Sequence, residues 1–87
     1  MYGISSDTRD LITFIKNNVK QIINEIENET KIEIIKIKIH TLQGFFSNKE
    51  IVKLLNEILC EKNYKKIKIL FEQVKNLILQ EINNLII

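Results

Sequence analysis

The chain has 87 residues, of which 45% are apolar and 28% charged, and its net charge is +2. This is the balance of one small folded domain, which excludes a disordered chain, and the charge is too small to select an acidic partner by itself. A single cysteine excludes an internal disulfide and a cysteine-built zinc site; with no apolar run of membrane-spanning length and no signal pattern in the first ten residues, a cytoplasmic chain is expected.

Nineteen residues are isoleucine and none is alanine, proline or tryptophan. Isoleucine therefore stands wherever an apolar residue is needed, and periodicity says more than identity. Ser5, Ser6 and Asp7 offer N-caps, with Asp10 placed in the first turn. Leu11, Ile12, Ile15, Val19, Ile22, Ile23 and Ile26 follow at spacings of three and four, which predicts an amphipathic helix over 7–28. Asn28 suits a left-handed residue at its end.

Residues 31–40 alternate isoleucine with charge. On a helix, Ile32, Ile35, Ile39 and Leu42 form one stripe, but Ile34 and Ile37 land opposite. On a strand with one bulge at Ile34-Ile35, all five isoleucines share a face, with Glu33, Lys36, Lys38 and His40 on the other. The pattern predicts a strand over 31–42.

Gln43-Gly44 marks a turn, and Ser47-Asn48-Lys49-Glu50 reads as a capping box, with Phe46 placed to staple onto Ile51. Ile51, Val52, Leu55, Ile58 and Leu59 then predict a helix over 48–62. Ile67, Leu70, Phe71, Val74, Leu77, Ile78, Ile82 and Leu85 predict a last helix over 64–86. Lys65, Lys66 and Lys68 crowd its first turn against the helix dipole. The alternation Lys66-Ile67-Lys68-Ile69 also suits a second strand over 65–70. The expected fold is mainly α with one strand, in the order α(7–28), β(31–42), α(48–62), α(64–86). An all-α bundle and a minimal βαβ unit are the alternatives. No internal repeat or low-complexity linker is apparent.

A single strand needs a pairing partner, and nothing else in the chain convincingly supplies one. A homodimer that pairs two copies of 31–42 is therefore expected, with Ile35, Ile37, Ile39, Glu81, Leu85, Ile86 and Ile87 at the interface. Glu81 lies within the apolar arc of the last helix, where a polar residue either turns to solvent or sets pairing register.

No catalytic constellation is present. His40 is the only histidine, Cys60 has no histidine at a motif spacing, and Glu25, Glu27, Glu29 and Glu33 do not form a calcium loop. The chain is expected to be non-enzymatic, with no cofactor and no metal. Two functions fit. The first is an oligomerising or protein-binding assembly module that works through apolar helical faces. The second is a dimeric nucleic-acid-binding regulator. Strand, helix and helix, dimerising through the strand, resembles the ribbon-helix-helix plan in outline only. That resemblance implies base contacts by Lys36, Lys38 and His40, while Lys62, Lys65, Lys66 and Lys68 form the lysine cluster on phosphates. The long helix before the strand, the missing glycine between the helices and the low net charge depart from it.

Overall fold

The structure is a computed structural model and describes residues 3–85, with side-chain burial described from Asp10 onward. Four helices follow one another: α1 (Gly3–Asn28), α2 (Ile32–Gln43), α3 (Lys49–Cys60) and α4 (Tyr64–Asn83). There is no strand among the described residues. Three-residue connections join α1 to α2 and α3 to α4, and a five-residue connection joins α2 to α3. Such short links make consecutive helices antiparallel neighbours. Helix α1 also lies against α4, which closes a four-membered ring around one core.

The expected strand over 31–42 is a helix. Its core stripe is Ile35, Ile39 and Leu42, all fully buried, with Ile32 packed beside them. The objection to a helix was the pair of isoleucines left on its far side. In the fold Ile34 is half-buried and only Ile37 stands out, 66% exposed. One exposed isoleucine is ordinary. A lone strand would leave a row of backbone donors and acceptors unpaired, whereas a helix satisfies its own. The segment 65–70 likewise belongs to α4, so the βαβ alternative falls and the all-α bundle stands.

The helix ends differ from expectation in detail. Helix α1 begins at Gly3, so Ser5, Ser6 and Asp7 lie inside it and Asp10 is beyond its first turn. A cap residue favours a start by only ~1 kcal/mol and does not forbid an earlier one. Asn28 closes α1 without a left-handed turn, because no described non-glycine residue has positive φ. Its side chain instead donates to the Asn24 carbonyl at 2.9 Å. The N-cap of α3 is Asn48 rather than Ser47; its side-chain oxygen accepts from the Glu50 and Ile51 amides at 2.9 and 3.2 Å. That shift places Phe46 two residues before the cap, where it packs on the core. Asn63 caps α4 by accepting from Lys66 N.

The fold also reveals an internal repeat that the strand assignment concealed. A shift of 32 residues superposes the sequence of α1–α2 on that of α3–α4. Across 24–37 and 56–69, seven of fourteen positions are identical: Asn24/Asn56, Glu25/Glu57, Ile26/Ile58, Glu29/Glu61, Ile35/Ile67, Lys36/Lys68 and Ile37/Ile69. Burial follows the same shift. Val19/Ile51, Ile23/Leu55, Ile26/Ile58, Ile35/Ile67, Ile39/Phe71 and Leu42/Val74 are all buried. Ile37 and Ile69 are both exposed. The two short connections match as well. Glu29 accepts from the amides of Thr30 and Lys31, and Glu61 from those of Lys62 and Asn63. The bundle is thus two helical hairpins of similar sequence and burial packed against each other.

The hairpins differ in their extensions. At ~1.5 Å per residue, α1 is about 39 Å long and α4 about 30 Å, against about 18 Å for α2 and α3. The molecule is accordingly elongated, 51 Å along its long axis and 22 by 16 Å across.

Candidate interaction surfaces

The antiparallel ring gives the molecule two unlike ends. One end collects the C-termini of α1 and α3 and the N-termini of α2 and α4. The other collects the N-terminal half of α1, the α2–α3 connection and the last turns of α4.

At the first end the lysines have specific tasks. Lys68 donates to the Ile26 and Glu27 carbonyls at 2.7 and 3.1 Å. It thereby satisfies backbone acceptors at the end of α1, where the dipole favours a cation. It also lies 5.4 Å from the centre of the Tyr64 ring, and the Tyr64 hydroxyl donates to the Glu29 carbonyl at 3.4 Å. The lysine that opposes the dipole of its own helix therefore caps a neighbour. Lys36, its equivalent in the first hairpin, stands near Glu61 at the end of α3. The Glu61 carboxyl is held below its ordinary pKa by the Asn63 and Lys62 amides, with Lys66 and Lys36 adding attraction. Lys62, Lys65 and Lys66 are exposed.

Lys36, Lys38 and His40 no longer form one surface. Successive residues of a helix turn by ~100°, so Lys36 and Lys38 point to different neighbours. Lys38 donates to Glu25 of α1 at 2.8 Å, Lys36 faces α3, and His40 is exposed in the last turn of α2. The ribbon on which base contact depended is absent from the described residues.

The residues expected at a dimer interface are also dispersed. Ile35 and Ile39 are in the core of the single chain, and Ile37 is on the outer face of α2. Glu81 is half-buried and accepts from the Asn48 amide group at 3.4 Å, which ties α4 to the start of α3. Leu85 is exposed, and Ile86 and Ile87 lie outside the described residues.

The second end exposes several large apolar side chains. Leu11 and Phe14 of α1 are 57% and 64% exposed, and Phe45 and Leu85 are also exposed there. The periodicity of α1 places Leu11 on the core stripe, but the fold leaves it exposed beside Phe14. Both sit on the stretch of α1 that outruns α2. An open depression of about 580 Å³ runs along α3 past Val52, Lys53, Asn56 and Cys60. Ser47, Lys49 and Glu57 complete its lining, so its polar groups come from α3 and the residue two before it. Among the described residues, no three His, Cys, Asp or Glu side chains gather as a metal-ligand set, and no helix is long and apolar enough to cross a membrane.

Comparison with protein-family models, with curated proteins and with solved structures finds no match.

Proposed function

We propose that this chain is a non-enzymatic assembly module that associates through its apolar end. The observation that carries this reading is the group of large exposed apolar side chains at one end. Leu11, Phe14, Phe45 and Leu85 leave large apolar side chains open at one end. The other end satisfies its polar groups with Lys68, Glu29 and Glu61. Scattered single apolar residues need no explanation, but a group of them around one end marks an interaction surface. Acid–base, nucleophilic or metal chemistry needs converging titratable groups, and among the described residues Lys38, Lys68 and Lys75 are instead engaged in caps and pairs between helices.

Sedimentation velocity across the micromolar range tests the proposal. The expected outcome is a concentration-dependent mass above that of one chain, lost when Leu11, Phe14, Phe45 and Leu85 are all changed to serine. A single-chain mass at every concentration would overturn it.

A further inference from the structure

Helices α2 and α4 begin at positions 32 residues apart, Ile32 and Tyr64, and an extended residue precedes each of them. There the likeness ends. Asn63 accepts from the Lys66 amide at 3.1 Å, whereas Lys31, in the same place before α2, makes no side-chain cap. Helix α2 is also short, twelve residues against twenty, and five of the twelve are isoleucine. A helix of about a dozen residues is marginal by itself, and β-branched side chains weaken it further. Its helical state therefore depends on what it packs against.

Those contacts are few. Helix α2 buries Ile35, Ile39 and Leu42, while α4 buries five side chains. Among the described residues, the side-chain bonds from α2 to other helices are Lys38 to Glu25 at 2.8 Å and Gln43 to Asn56 at 2.6 Å. Both involve partly exposed groups, where such bonds contribute little. The other three helices have ties that bypass α2. Lys68 and Tyr64 of α4 donate to the carbonyls of Ile26, Glu27 and Glu29 at the end of α1, Lys75 pairs with Glu27, and α3 packs on α4. Chain length is no obstacle either. Residues 29–48 would bridge α1 and α3, and at ~3.3 Å per residue they reach about 66 Å, beyond the 51 Å length of the molecule.

We infer that α2 is a strap that opens by itself, leaving α1, α3 and α4 packed and uncovering the core side chains of α1 and α3 beneath it. The open form is a minor state of the folded chain. It offers an apolar surface that is separate from the exposed residues at the molecule's end, and it does not depend on the assembly reading above.

Native-state hydrogen exchange of the full chain tests this, with an internal control. Ile35-Lys36-Ile37 and Ile67-Lys68-Ile69 are identical tripeptides, and Ile37 and Ile69 are similarly exposed. The amides of Lys36 and Lys68, and of Ile37 and Ile69, therefore share the same exchange chemistry once open, and a difference in rate reports opening. Lys36 and Ile37 are expected to exchange at least about 10-fold faster than Lys68 and Ile69. Ile78→Val then separates local from global opening. Ile78 is fully buried on α4, three residues past Lys75, the equivalent of the last residue of α2. The variant should destabilise the whole chain, which urea unfolding reads, by a factor of about 5 in the folding equilibrium. Exchange at Lys36 and Ile37 should nevertheless stay at the parent rate, because α4 remains folded when α2 opens. Equal rates at the two tripeptides in the parent, or acceleration of Lys36 and Ile37 in step with the loss of global stability, would overturn the inference. Either result would mean that α2 leaves only when the whole bundle unfolds.

Discussion

At the scale of single residues, two assignments show how far local pattern reaches. The start of α3 was legible from Ser47-Asn48-Lys49-Glu50, yet the cap itself is one residue later than the pattern implies. Ser and Asn are both good caps, and only the backbone geometry decides between them. Asn48 is extended, at φ −62° and ψ 124°, and its side chain takes both orphan amides. Asn48→Ala should therefore lower stability by about 1 kcal/mol in urea unfolding, and Ser47→Ala should stay within about 0.5 kcal/mol. The reverse ranking would restore the capping box. Lys68 was not legible in this way. Its sequence neighbours set it against the dipole of α4, while its bonds to Ile26 and Glu27 depend on a helix about forty residues away.

At the scale of elements, three of the four helices were legible because their apolar residues recur at three and four over many turns. Helix α2 was not. Its twelve residues hold five isoleucines and a leucine, so a strand and a helix each collect most of them on one face. On a helix Ile34 and Ile37 fall outside the core stripe, but Ile34 is half-buried and only Ile37 stays exposed, a small penalty beside a row of unpaired strand groups. The ion pair between Lys38 and Glu25 records that packing and gives it a pH dependence. The hydrogen bond from Lys38 and a second from Gln21 hold the Glu25 carboxyl below its ordinary 4.5. A carboxylate with a lowered folded pKa stabilises above its unfolded pKa, and that contribution disappears as pH falls through the folded value. Because the pair is surface-exposed, the effect is modest. Between about pH 6 and pH 3, the urea midpoint of Glu25→Gln should fall less than that of the parent. An equal fall in both would show that the pair does not survive in solution.

At the scale of the whole molecule, the repeat was present in the sequence but unreadable while its two halves were assigned to different structures. Ile35-Lys36-Ile37 suits a strand by its local alternation and Ile67-Lys68-Ile69 a helix by its longer period, although the tripeptides are identical. Once both are helical, the same residues recur with the same burial. This makes a quantitative demand. Ile35 and Ile67 are both fully buried, so Ile35→Val and Ile67→Val should each cost about 0.5–1.5 kcal/mol and agree within about 0.5 kcal/mol. Urea unfolding of the two variants measures this, and a clear inequality would mean that the two hairpins are packed differently.

The five residues from Gly44 to Asn48 that join the hairpins acquire a role from this equivalence. If the two hairpins present similar faces, side chains alone give a hairpin little basis for choosing its own neighbour over one from another molecule. The choice is then largely a matter of effective concentration, which a short connection holds on the order of millimolar. On that argument, shortening or cutting the connection is what would let the two halves of one molecule exchange with those of another.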